Sequence, residues 1–516
     1  MIKRIAVGVL ALWVVLAGPT PVHAQDIALT SRDGSVKIQG MFRSFDGEFY
    51  RVETEFGVLT VDASGVNCEG PACPDLQNFV ATLRFSGDPW ALNGLLRPLV
   101  SAFADQEGYT VERSGGEDTR LVLAEASSGA VVGEFVLIES SDSAAFADLT
   151  AERADVALTL REAAGDEVDE AKEAGVGNFR DPIRARVAAL DALSPVVNPA
   201  NTVRSLSLDQ IAAVFSGEIG NWSEVGGADA PISLHLRVED AATPETDLVG
   251  DTLSESALTY PTVDGVVAAV EADPYAIGLA LISAGGDVDP VGLSGDCGFA
   301  ASADSIDIKT EDYPLVRPIF VYTPARRLPK LGREFLGYLL SETAQDAIAR
   351  TDFVDQSVER VPFRLQGRRF ANAISQAGDE IGLAELQAAT EVLQGAERMT
   401  LGFRFEGGST RLDAQSRSNT RKLAEFLEAG LFDGKALSFV GFSDRDGSAP
   451  VNARLSKRRA DAVLRAVLGA VGESFERERV TLTTHGLGEA MPLACDDTAW
   501  GRALNRRVEV WVRDQR

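Results

Sequence analysis

The sequence predicts an α/β protein of several domains, and three observations carry that reading. Residues 26–67 alternate apolar and polar positions between turns, the pattern of short half-buried strands. From about Leu76, short strands alternate with amphipathic helices, and beyond Met399 a second, shorter alternation of the same kind begins. The 516 residues are 45% hydrophobic and 24% charged, an ordinary globular balance with enough length for two or three domains. A formal net charge of -28 argues against nucleic acid as a partner and against charge-driven binding to an anionic membrane.

Residues 1–24 read as a secretory signal. Lys3 and Arg4 precede the apolar run "IAVGVLALWVVLAG", and small Ala24 offers a cleavage site before Gln25. That run is too short for a spanning helix, and no later segment reaches membrane length, so no transmembrane segment is expected in the mature chain. No Cys follows Ala24 directly, so the chain is not expected to be a lipoprotein.

Residues 25–75 form the first domain, a small β meander. "DG" at 33–34 and 46–47, and Gly57, punctuate strands of five to eight residues within "SVKIQGMFRSFDGEFYRVETEFGVLTVDASGV". The chain has four Cys, and in an exported protein these point to disulfides. Cys68 and Cys73 flank Gly70 and Pro71, which can turn the chain, so they are expected to pair. Cys297 and Cys495 either bridge two domains or lie as two buried thiols. The three His are His23, His235 and His485, isolated from one another, and no recognisable metal-ligand spacing occurs. No cofactor and no metal are expected.

Residues 76–365 carry the longer alternation. "ATLRFSGD" is a strand running into a turn, "LLRPLVSAFADQEG" a helix ended by Gly108, "DVALTL" a buried strand, and "LGREFLGYLLSETAQDAIART" closes the series. Nearly 290 residues suffice for two lobes. The segment "ALDALSPVVNPANTVRSLSLDQIAAVFSGEIGNWSEVGG", followed in order by "DPYAIGLALIS", "YPLVRPIFVYT" and "LSETAQDAIARTDFV", resembles the periplasmic phosphate-binding proteins of the PstS type. The resemblance implies a two-lobed, hinge-linked periplasmic binding protein fold. It also implies an anion site built from donors at strand ends and helix N-termini. On the matching positions these are Ser86 and Gly87 of "FSGDPW", Thr159 of "LTLRE", and Arg237 and Thr243 of "LRVEDAATPET". Here the chain departs from the family, because Ala241 and Ala242 stand where Ser and Gly are usual. Each lost charge-assisted hydrogen bond is worth about 1.5–3 kcal/mol. With Glu239 and Asp240 adding negative charge, phosphate or another small oxyanion is expected to bind weakly at most.

Residues 366–394 mix charged, Ala and Gln positions and read as a connector of short helices. Residues 395–516 then give strand, helix, strand, helix and two further strands. The second helix is expected to open at Ser456 of "SKRRADAVLRAVLGAVG", with Ala460, Val463, Leu464, Val467 and Leu468 as its apolar stripe. "FRFEGGSTRLD", "GFSDRDGSAPVNARLSKRRADAV" and "HGLGEAMPLACDD…GRALNRRVEV" resemble, in order and spacing, the C-terminal peptidoglycan-binding domain of the OmpA family. That resemblance implies an OmpA-like α/β sandwich whose partner is the diaminopimelate of a peptidoglycan stem peptide. A zwitterion of this kind needs an anion for its ammonium and a forked cation for its carboxylate. Asp444 and Arg459 fall on the family's ligand-contacting positions, Asn452 lies in the loop between them, and Arg506 is expected beside the groove. Phe442 and Ser443 replace the usual His and Thr.

These readings converge on a non-catalytic periplasmic solute-binding or scaffold protein held to the cell wall, near the outer membrane. The alternative is an oxyanion receptor delivering solute to an ABC transporter. No Ser-His-Asp order, paired-carboxylate motif or metal cluster supports an enzyme.

Overall fold

The computed structural model describes residues 26–515 except 77–78, 116–118, 238–252, 379–380, 406–408 and 474. The leader segment 1–24 lies outside the described residues. The chain divides into an N-terminal unit and a larger unit, Thr82–Arg327 with Leu331–Arg516.

The N-terminal unit is the expected meander. Strands β1 (Ile27–Ser31), β2 (Lys37–Phe45), β3 (Phe49–Thr54), β4 (Gly57–Asp62) and β5 (Val66–Glu69) pair in the order β4-β3-β2-β1-β5. Every described pairing in it is antiparallel. Alternation puts Ile27, Leu29, Tyr50 and Val52 into one small core. The "DG" turn at 46–47 closes as read, with Asp46 Oδ1 accepting from the N–H groups of Glu48 (2.8 Å) and Phe49 (2.6 Å). Cys68 and Cys73 are bridged.

In the larger unit, one mixed sheet runs through both lobes. Its first lobe holds Ala81–Gly87, Tyr109–Ser114, Thr119–Glu125, Val131–Glu139, Val156–Thr159 and Val316–Tyr322. The second holds Ser233–Arg237, Leu258–Tyr260 and Ala276–Leu281. The 13-residue strand Ala185–Val197 belongs to both. Its residues Ala185–Ala192 pair with Val316–Tyr322, and Leu193–Val197 pair with Ala276–Leu281. Such a strand is buried on both faces, which is why "ARVAALDALSPVV" reads as a nearly continuous apolar run. The Asn-Trp pair has a structural role here. Asn221 Oδ1 accepts from Ser223 N (2.9 Å) to start a short helix, and buried Trp222 donates through Nε1 to Tyr275 O (2.9 Å).

The C-terminal sheet has the order Arg360–Pro362, Glu397–Arg404, Arg507–Asp514, Lys435–Gly441, Thr481–Gly486. Helices Ala414–Glu428 and Ala449–Ala470 bury Leu423, Leu427, Ala460, Val463 and Val467 against Phe403, Phe439, Val510 and Val512. The second helix starts seven residues earlier than the sequence pattern suggested. Pro450 lies in its first turn, where a missing N–H costs nothing, so a residue read as loop is part of the helix. Gly441 lets this helix lie directly on the sheet, since a Cβ there would stand 2.0 Å from Ser456 O. The segment 366–394 forms helices Gly367–Ser375 and Leu383–Leu393, which pack Ala373, Ala389 and Leu393 on Val440, Phe442 and Trp511.

Inside this unit the C-terminal layer is fastened to the lobes. Cys297 and Cys495 form a disulfide across 198 residues of sequence, which decides between the two possibilities left open above. Arg398 makes a two-pronged pair with Asp312, one prong being Nη2 to Oδ1 at 2.9 Å, and both residues are buried. Burial would raise the Asp312 carboxyl, but Arg398 outweighs it and holds the group below its ordinary range. Fully buried Glu509 sits beyond it between Arg369 Nη2 (2.6 Å) and Arg507 Nε (2.7 Å). Among the described residues, no helix is long and apolar enough to cross a membrane.

Candidate functional site

The strand Lys435–Gly441 ends in a loop that turns into the helix Ala449–Ala470, and the site residues lie on the two arms of that turn. Phe442 is buried, and the Arg507 guanidinium lies 4.1 Å from its ring centroid. The aromatic standing in the usual His position therefore braces a cation from below the loop. Ser443 is buried, its N–H donates to Gly488 O (2.9 Å), and its hydroxyl has no hydrogen-bond partner among the described residues.

Asp444 is almost fully buried and accepts at Oδ2 from Arg506 Nη1 at 2.6 Å. Arg506 thus supplies the charge opposite Asp444. Arg459 comes from the third turn of the helix and is 2% exposed. Its guanidinium stands 5.3 Å from the Phe405 ring centroid, yet Nε and Nη1 have no hydrogen-bond partner among the described residues. Burial pulls the Arg459 pKa down, Asp444 opposes that pull, and the charges of Arg506 and Arg458 add to it. No ion pair joins Arg459 to Asp444 among the described residues. A buried guanidinium with donors to spare is costly unless an anion arrives. The arrangement can accept a carboxylate at Arg459 and an ammonium at Asp444.

Asn452 is buried one turn into the helix and donates through Nδ2 to Glu489 Oε1 at 2.7 Å. It ties the helix to the loop after Thr481–Gly486. Glu489 was not singled out from the sequence. The signal for Glu489 was its place in "HGLGEAMP", within a motif already quoted.

The anion-site candidates of the lobes are partly brought together. Parallel pairing sets Ser86 opposite Ala157 and Gly87 opposite Leu158, so Ser86, Gly87 and Thr159 end at one place. A Cβ on Gly87 would meet Leu158 O at 2.2 Å, so packing alone requires the glycine. The donors there are already engaged. Ser86 Oγ donates to Asp148 Oδ2 (2.7 Å), and Thr159 Oγ1 donates to Arg161 O (2.8 Å). Arg237 Nη1 lies 3.5 Å from Asp88 Oδ2, and both residues are buried. Asp142 accepts from Leu160 N at 3.1 Å, and its pKa is pushed up to about 6, chiefly by burial, with Asp88 and Glu167 adding to the rise. From the other lobe, Ser283 Oγ accepts from Trp90 Nε1 at 2.7 Å and donates to fully buried Asp191. Thr243, with Ala241 and Ala242, lies outside the described residues.

Residues 76–343, just over half of the chain, match the PBP superfamily domain. The chain belongs to the PBP superfamily. Residues 404–506 of this PBP-superfamily chain match the OmpA family. It is 30% identical to the phosphate-binding protein PstS of Bacillus subtilis (strain 168) over 164 residues, 31% of this chain and 53% of the relative. The probable lipoprotein YiaD of Escherichia coli (strain K12) is 40% identical over 106 residues, 20% of this chain and 45% of the relative. The outer-membrane lipoprotein YfiB of Pseudomonas aeruginosa is 32% identical over 141 residues, 26% of this chain and 80% of the relative. The chain therefore spans about half the length of the PstS and YiaD relatives.

Proposed function

We propose that this protein is a non-catalytic scaffold of the periplasm, held to the cell wall when its OmpA-family domain grips the diaminopimelate of a peptidoglycan stem peptide. One observation carries the reading. Arg459 is buried with unused donors a short way from the Asp444–Arg506 pair, so opposite charges are set for a zwitterionic ligand. Arg459 takes a ligand carboxylate, Asp444 takes the ammonium in competition with Arg506, and Asn452 with Glu489 keeps the loop in register. The leader-like segment 1–24 and two disulfides support an oxidising compartment outside the cytoplasm. Full-length protein should sediment with purified diaminopimelate-type sacculi, and free diaminopimelate should compete. Equal recovery in the pellet with and without sacculi would refute the wall anchor.

A receptor handing phosphate to a transporter is the second reading, favoured by the similarity to PstS. Against it, Asp88 and Asp142 already hold Arg237 and the Leu160 N–H, so an arriving oxyanion would meet two carboxylates. Titration calorimetry of the full chain with inorganic phosphate should therefore show no saturable heat in the micromolar range. Micromolar affinity would favour the receptor and show that these carboxylates yield to the ligand.

A further inference from the structure

Two series of contacts run from the Cys297–Cys495 bridge to the loop that carries Asp444. The first starts at buried Cys495, where the side-chain amide of Asn505 spans the surrounding segment. Its Oδ1 accepts from Leu493 N (2.7 Å) and Ala494 N (3.2 Å), and its Nδ2 donates to Ala494 O (2.8 Å) and Asp496 Oδ1 (3.0 Å). Asn505 is fully buried, so breaking these bonds would strand polar groups away from water. Residues 493–496 and Asn505 therefore move as one body. The next residue is Arg506, whose Nη1 holds Asp444 Oδ2 at 2.6 Å.

The second series starts at Cys297. Its carbonyl accepts from Gln376 Nε2 (3.0 Å), and Gly298 O accepts from Asn372 Nδ2 (2.7 Å), which seats this lobe segment on the end of helix Gly367–Ser375. Gln376 O in turn accepts from Arg445 Nη2 at 2.7 Å. Arg445 follows Asp444 directly, so this series reaches the same loop from the other side. The two series also meet each other, because Asp496 accepts from the Arg445 N–H and its Oδ2 lies 3.9 Å from Arg445 Nε. A cavity of 230 Å³ adjoins the circuit, walled by Cys297, Gln376, Arg445, Cys495 and Asp496. Side chains that border open space gain no packing on that side, so the bonds themselves set the spacing.

We infer that Cys297 and Cys495 are positioning residues for the wall site: their bond, acting through Asn505 and Gln376, holds Arg506 and Arg445 and so fixes the Asp444 loop before a ligand arrives. The consequence for binding rests on the wall-anchor reading; the coupling does not. A loop already in place spares the ligand the cost of ordering it. Without the bridge, residues 295–298 and 493–496 are free to separate, and both arms slacken. The stem peptide must then order the loop as it binds. The buried Arg398–Asp312 pair fastens the same layer to the lobes independently, so the layer stays docked while the loop is released.

Hydrogen exchange and sacculus sedimentation on the full chain test this. With Cys297→Ser and Cys495→Ser together, the amides of Arg445, Leu493 and Ala494 should exchange at least tenfold faster than in the parent, with a lesser change in strand Lys435–Gly441. Affinity for diaminopimelate-type sacculi should fall at least fivefold. Arg445→Ala keeps the bridge and cuts the second series alone, so it should speed exchange at 443–448 and leave Leu493 and Ala494 protected; it decides the matter if the double variant does not fold. Asp312→Ala loosens the same junction away from the circuit. It should lower the melting temperature and leave exchange at 443–448 unchanged, which separates positioning from general stability. Faster exchange in the double variant of a parent that ignores sacculi would refute the wall anchor and support the coupling. Unchanged exchange at 443–448 in both circuit variants, or equal or tighter sacculus binding by the double variant of a parent that binds, would overturn the inference.

Discussion

Replacing Arg459 by Ala should lower co-sedimentation with diaminopimelate-type sacculi at least tenfold while leaving the melting temperature close to the parent's. Losing one member of a desolvated, hydrogen-bonded charge pair across an interface costs about 2–5 kcal/mol, much of it from the partner left stranded. In the free protein the same change removes a buried guanidinium whose Nε and Nη1 are unsatisfied, and this relief offsets the lost stacking on Phe405. Binding and stability should therefore separate, which a purely structural role would not allow. Asp444→Ala should weaken sedimentation to a similar degree. Its partner Arg506 has a side chain 26% exposed and can return to water. Arg459→Lys tests the geometry, because it keeps the charge but loses the fork that a carboxylate matches. If both alanine variants sediment as well as the parent, the wall contact rests on other residues.

Asp312→Ala should destabilise the larger unit by about 3–5 kcal/mol in denaturant titration, the usual cost of stranding one member of a buried ion pair. Arg398 would keep only Glu509 Oε1 at 3.5 Å, and Glu509 is already shared with Arg369 and Arg507. Because Asp312 is held below its ordinary pKa when folded, its contribution is present above the unfolded value of 3.8 and is lost as pH falls through the folded one. The variant should accordingly lose part of the parent's steepness in acid denaturation. Reducing Cys297–Cys495 in the parent acts on the same junction chiefly through the unfolded chain, so it should lower stability while leaving the acid dependence in place. A melting temperature for Asp312→Ala equal to the parent's would show that the cluster around Glu509 compensates without Asp312.

The element types and the domain order were legible in the sequence for a local reason. Side chains repeat every two residues in a strand and about every 3.6 in a helix, so Ile27 and Leu29, or Ala460, Val463 and Val467, declare their buried faces within a few positions. The Cys68–Cys73 bridge was legible likewise, since its loop spans only five residues. Pro450 marks where this fails at short range, because one residue type serves both a loop and a helix's first turn. The ion-pair partners were not legible. Asp444 chose Arg506 across 62 positions and left Arg459 bare, and Arg398 chose Asp312 across 86. Cys297 and Cys495, 198 apart, could equally have stayed thiols on sequence grounds. A charged or sulfur side chain carries no periodic label for its mate; its partner is whatever group packing brings within about 3 Å while excluding water. The buried Gln415 Oε1 and Glu311 Oε2, which lack a hydrogen-bond partner among the described residues, arise in the same way. They become unsatisfied only when two separately encoded domains close around them.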